Sequence, residues 1–136
     1  MGKKKQVFIT DILSFDEDKF KAHVRKRKKE KLINSEEDYI RIIKDVIYNF
    51  DRAFEVKRKR NKDQYNLFVS ETGWVVLFSI NDFIIHSCLK LYKGLTPDTF
   101  LEFMKEANNT ILSYKEVDYE NYEFQRIIKA IQSDTR

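Results

Sequence analysis

Residues 53–89 carry the pattern that most limits what this chain can become, because they read as strand, turn and strand again with almost nothing between. Residues 53–59 alternate, with Phe54 and Val56 opposite Glu55 and Lys57, and 65–69 form a second apolar run. Ser70-Glu71-Thr72-Gly73 is turn chemistry, 74–80 is nearly continuous apolar sequence, and Asn81-Asp82 turns into 83–89. Strands joined this closely pair with their neighbours in sequence. The expectation is a three- to four-stranded antiparallel meander with the continuous runs at its buried centre.

Helical signals flank the strands. Residues 16–29 place Phe20 and Val24 on one side and an almost wholly cationic surface on the other. Ser35-Glu36-Glu37-Asp38 is a cap with acids in the first turn, where they meet the positive end of the helix dipole. Tyr39, Ile42, Ile43, Val46, Ile47 and Phe50 follow at helical spacing. Thr96-Pro97-Asp98 opens a third helix, with Thr96 as cap and proline at the first helical position. Asn108-Asn109 ends it, and 119–132 form the last. Helices segregated from strands predict an α+β fold, with N-terminal helices packed on the meander and two C-terminal helices after it.

At 136 residues, with one proline, three glycines and 14% aromatics, the chain has the length and composition of one folded domain. The single cysteine, Cys88, excludes an internal disulfide and reads as a small buried hydrophobe. No run reaches the eighteen or so apolar residues of a membrane span, and the apolar residues after the basic start Met1-Gly2-Lys3-Lys4-Lys5 are too few for a signal peptide. A cytoplasmic protein without membrane contact is expected. Residues 1–94 hold 21 basic and 14 acidic side chains, whereas 95–136 hold 5 and 8. A basic body with a mildly acidic tail suits a nucleic-acid binder, and equally an ordinary lysine-rich surface.

Most catalytic classes find no foothold. The two histidines are 63 positions apart without metal-ligand spacing, and glycines only at 2, 73 and 94 rule out a glycine-rich phosphate loop. No serine sits in a Gly-x-Ser-x-Gly elbow. What remains is acid–base chemistry, free of metal and cofactor, on a substrate that brings its own nucleophile. RNA does so through its 2′-hydroxyl, and asks of the protein a base, an acid and cations for the charged phosphorane.

His23 lies in the run 19–31, which holds eight Lys or Arg and one acid. On a helix its neighbours Lys19, Lys26 and Arg27 disfavour the imidazolium and leave a neutral base; the plainer alternative is an idle surface histidine. His86, in 83–89, is the candidate acid or a partner base, or else a hydrogen-bonded core residue. Simple alternation puts it on one face with Ile84 and Cys88, with Ser87 on the other. Arg58 shares the apolar face of Phe54 and Val56 and so needs a partner, for which a phosphate would serve. Arg25, Arg27, Lys57, Arg60, Lys90 and Tyr92 complete the candidate substrate contacts. For Lys57 and Arg60 the alternative is a solvated, aggregation-guarding edge, and for Tyr92 it is packing at the rim.

The strings Phe20-Lys-Ala-His23, Ser35-Glu-Glu-Asp-Tyr39, Phe54-Glu-Val-Lys-Arg58, Gly73-Trp-Val-Val76 and Phe83-Ile-Ile-His86 occur in an order that resembles the phage and mobile-element nuclease domains of the barnase–EndoU–colicin–RelE type. The resemblance covers about 15–94 and implies a nuclease-like α+β core there, with 1–14 an N-terminal extension and 95–136 a C-terminal helical extension of the same domain. It implies a metal-independent, toxin-like endoribonuclease acting on tRNA or mRNA, with an antitoxin protein as possible partner. The helix histidine of that family corresponds to His23, the basic strand residue to Arg58, and the cleft residue of the last strand to His86 or Ser87. Two other readings stand beside it: a nucleic-acid-binding module without chemistry, and a small interaction or immunity-type protein using Tyr114, Tyr119 and Tyr122.

Overall fold

In the computed structural model, which describes residues 5–60 and 63–135, the strands form one seven-stranded sheet; Met1-Gly2-Lys3-Lys4 of the basic start lies outside the described residues. The elements follow the chain as β1 (Gln6–Phe8), β2 (Ser14–Asp16), α1 (Glu17–Lys29), α2 (Glu36–Asn49), β3 (Arg52–Arg58), β4 (Gln64–Val69), β5 (Trp74–Ser79), β6 (Ile84–Lys90), α3 (Pro97–Glu106), β7 (Ile111–Glu116) and α4 (Tyr122–Ile131). The sheet order is β1-β2-β6-β5-β4-β3-β7, antiparallel throughout except for the parallel pair β2–β6.

This corrects the expected architecture of N-terminal helices on a three- to four-stranded meander followed by two C-terminal helices. The sheet is mixed and larger, α1 and α2 lie between strands β2 and β3, and β7 separates α3 from α4. The physical reason is local. β1 and β2 are three residues each, too short for alternation to show. β7 is an edge strand reading Ile-Leu-Ser-Tyr-Lys-Glu, mostly solvent-facing, so its composition resembles a loop.

Caps set the helix starts. The side chains of Asp16, Ser35, Thr96 and Asn121 each accept a backbone N–H in the first turn of α1, α2, α3 and α4. One face of the sheet buries Phe68, Val76, Phe78 and Ile85 against Phe20 and Val24 of α1, Tyr39, Ile43 and Ile47 of α2, and Phe124 of α4. The opposite face buries Phe54, Val56, Tyr65 and Leu67 with Leu101 of α3. At ~0.8 kcal/mol per buried methylene, these two layers supply the main drive to fold.

One junction sets the position of α1. β2 reaches only Ile84 and Ile85 of β6, so the outer edge of β6 beyond them lacks a strand partner among the described residues. Side chains take over there: the Cys88 carbonyl accepts from Arg27 Nε of α1 at 3.1 Å and from the Tyr39 hydroxyl of α2 at 2.6 Å. Arg27 is 5% exposed, and its Nη1 also donates to Glu30 at 2.7 Å. The Cys88 thiol beneath is fully buried and pushed up to about 12, chiefly by burial, so it stays protonated at neutral pH.

Removing either donor leaves the other on that carbonyl. Tyr39→Phe is therefore expected to cost about 1 kcal/mol and Arg27→Ala about 1–3 kcal/mol. The double variant should lose more than the sum, because only then is a buried acceptor left without a side-chain donor. Urea unfolding of the four proteins checks this, and strict additivity would contradict it.

Candidate functional site

His23, Arg58, His86 and Ser87 line one cleft of about 400 Å³, together with Lys19, Ala22, Leu77, Met104, Thr110 and Ile111. α1 supplies one wall, the sheet the floor, and α3 with the start of β7 the far rim. Residues far apart in the chain thus meet because α1 rides on the β6 edge while Arg58 ends β3 three strands away.

A β-bulge turns His86 toward this cleft. Leu77 pairs with Ser87 but Phe78 pairs with Ile85, so His86 is the surplus residue on β6. Ile85 and Cys88 both enter the helix-covered core. The expected grouping of His86 with Cys88 is therefore wrong, because alternation assumes an unbroken ladder. His86 instead packs edge-on against Tyr65, at 4.8 Å between ring centroids, on the face that holds Phe54 and Val56.

Arg58 lies on that same face. Its guanidinium carbon stands 5.4 Å from the Tyr65 ring centre, and its Nη1 is 3.4 Å from His86 Nδ1. Guanidinium nitrogens only donate, so Nδ1 accepts and the neutral ring carries its proton on Nε2. Burial first, then Arg58 and Lys19, hold the His86 imidazole below its ordinary range, against a smaller opposing pull from Asp82 and Asp63.

His23 packs against Phe15 at 5.4 Å between ring centroids. Its Nδ1 is buried without a hydrogen-bond partner among the described residues, which leaves Nε2 as the nitrogen for the cleft. Burial is the largest influence lowering its affinity for protons, followed by Arg27, Lys26 and Lys19. Both histidines are accordingly neutral at pH 7 and able to accept a proton. Lys19 acts on both rings. It precedes His23 by four residues and so shares its helix face; that spacing was the signal for a cleft residue outside the expected set. Thr110 and Ile111 gave no such signal, since they reach the cleft at the start of the unforeseen β7, and Met104 reaches it from α3.

The other expected contacts scatter. Arg25 and Arg60 are exposed and outside this cleft. Lys57 points to the opposite face of β3 from Arg58, beside Glu55, Ser113 and Lys115. Arg27 is committed to the Cys88 carbonyl and Glu30, so its charge holds the fold together. Lys90 and Tyr92 line a second depression one helical turn further along α1. Among the described residues, no group of three or more His, Cys, Asp or Glu side chains is arranged to hold a metal ion, and no helix is long and apolar enough to cross a membrane.

A family model described as Uncharacterised protein aq_aa01 matches residues 4–130, and the chain belongs to that family. No curated protein and no solved structure matches it.

The Arg58–His86 pair gives a direct test of the cleft's electrostatics. Arg58→Ala removes a positive neighbour, so the His86 pKa should rise toward the ordinary histidine value while burial keeps it below. The His23 imidazole answers to burial, Arg27, Lys26 and Lys19, so its titration should move far less. Proton NMR titration of the two imidazoles reads both shifts in one experiment; an unmoved His86 would contradict the contact.

Proposed function

We propose that this member of the aq_aa01 family is a metal-independent endoribonuclease, toxin-like in character, that cleaves tRNA or mRNA in the cytoplasm and is restrained there by an antitoxin protein. The observation that carries the reading is the meeting of two neutral histidines with Arg58 and Lys19 in one cleft. Acid–base cleavage of a phosphodiester needs two proton carriers within direct or one-water reach of one phosphate, and cations beside it.

In this reading His23 takes the proton from the ribose 2′-hydroxyl. The 2′ oxygen attacks the adjacent phosphorus in line, and the bond to the 5′ oxygen breaks. Arg58 and Lys19 balance the negative charge that builds on the phosphorane. An incoming phosphate competes with His86 for the Arg58 guanidinium. That offsets the Arg58 charge, which after burial does most to hold His86 neutral, and the phosphate's own negative charge favours the imidazolium, so His86 takes up a proton and delivers it to the leaving 5′ oxygen. The products are a 2′,3′-cyclic phosphate and a free 5′-hydroxyl. Ser87, beside His86 on the bulge and lining the same cleft, hydrogen-bonds a phosphate oxygen in this reading.

The test is incubation with total tRNA and a labelled single-stranded RNA in EDTA, with end-group analysis of the products. Cyclic-phosphate ends are expected, and His23→Ala or His86→Ala should each lower kcat by about 10²- to 10⁴-fold. Intact RNA that nevertheless binds in a salt-dependent way would reduce the protein to a binding module.

The pH profile adds a separate check. The base must be neutral and the acid protonated, so kcat/KM is bell-shaped and peaks between the two free-enzyme pKa values. Both are lowered from 6.5, which places the maximum on the acid side of 6.5. A maximum above pH 7.5 would exclude this histidine pair as the acid and base.

A further inference from the structure

The second depression, about 550 Å³, lies one helical turn further along α1 from the histidine cleft. The two share the same three elements. α1 lends Lys19 and His23 to one and Lys26 to the other, β6 lends His86 and then Lys90, and α3 lends Met104 and then Phe100. They are successive stretches of one groove between α1 and α3 that follows β6.

Their chemistry differs. The second stretch has an apolar lining from Leu32, Leu89, Leu91 and Phe100, rimmed by Lys26, Lys90 and Lys93. Its one acid, Glu30, is already paired with Arg27. Tyr92 stands at the mouth with 83% of its surface exposed. An apolar pocket with a free aromatic ring and a rim of ammonium groups matches a nucleobase joined to phosphates. The volume lies within the ~300–1,000 Å³ range of pockets that take small organic ligands. His86 and Lys90 are four residues apart on an extended strand, ~13 Å, which leaves room for a nucleotide beside the one being cleaved.

We propose that this depression is a nucleotide subsite, in which Tyr92 stacks on an unpaired base flanking the scissile phosphate and Lys90 and Lys93 hold the next phosphates. The proposal rests on the nuclease reading and adds to it that the substrate is single-stranded on at least one side of the cut. A duplex keeps its bases stacked and cannot offer one to Tyr92.

The experiment uses a fluorescein-labelled 2′-O-methyl RNA hexamer, which lacks the attacking hydroxyl, and measures Kd by anisotropy from 50 to 200 mM salt. Tyr92→Ala should weaken binding about tenfold or more. Lys90→Ala/Lys93→Ala should lower the slope of log Kd against log salt by about 1.4, the loss expected for two single-strand phosphate contacts. A hexamer duplex should bind wild type and Tyr92→Ala alike. All three side chains are exposed, and unfolding midpoints equal to wild type would confirm that the variants fold. Equal hexamer affinity and equal salt slopes in wild type and both variants would overturn the subsite. Because this strand cannot be cleaved, failure to cut natural RNA would overturn the nuclease reading alone and leave this result readable.

Discussion

The Cys88 carbonyl is the point on which the arrangement depends. Strand β2 stops short, and the carbonyl on the bare edge of β6 must be satisfied or the edge frays. Arg27 and Tyr39 satisfy it from two different helices. His23 lies four residues before Arg27 on α1, and His86 two residues before Cys88 on β6. The same junction that closes the sheet edge therefore sets the spacing of the two imidazoles. A buried guanidinium is costly unless fully paired, and this one is paired to a carbonyl and a carboxylate.

Around that junction the charges are arranged by sign and by depth. Burial first, and then Lys19, Arg58 and the cations of α1, keep two half-buried histidines neutral. Cations held near a concave, partly dehydrated surface interact more strongly with an arriving anion than the same cations would on an open face. The acidic side chains nearest to His86, Asp82 and Asp63, oppose this only weakly. The acidic C-terminal stretch is spent elsewhere: Asp134 pairs with Lys44, and Glu116 pairs with Arg52.

Long, strongly patterned segments were legible in the sequence. The apolar stripe of α2, its Ser35 cap and the strong apolar runs of β4 and β5 correspond to observed elements because burial on one or both faces writes itself into composition. The overall architecture was not legible. Three-residue strands carry no period, an edge strand exposed along most of its length looks like a loop, and a parallel pairing between β2 and β6 leaves no local trace. Site residues divided in the same way. Arg58 could be placed on the face of Phe54 and Val56 because that strand alternates cleanly. His86 could not be placed, since alternation is only as good as the ladder beneath it. Arg27 was misjudged because charge alone does not reveal whether a guanidinium faces water or a buried carbonyl.

The surplus residue on β6 has a consequence for how such a site is inherited. His86 and Ser87 both face the cleft because two residues, and not one, stand between Ile85 and Cys88. A single deletion between Ile85 and Cys88 would restore a regular ladder, keep both of those residues in the helix-covered core, and leave one residue on the cleft face where there are now two. A substitution of Ser87, by contrast, leaves the count intact. The orientation of the pair is thus tolerant of spelling and intolerant of length. In sequence comparisons its presence would be read from where a gap falls in β6 more reliably than from the letters aligned there.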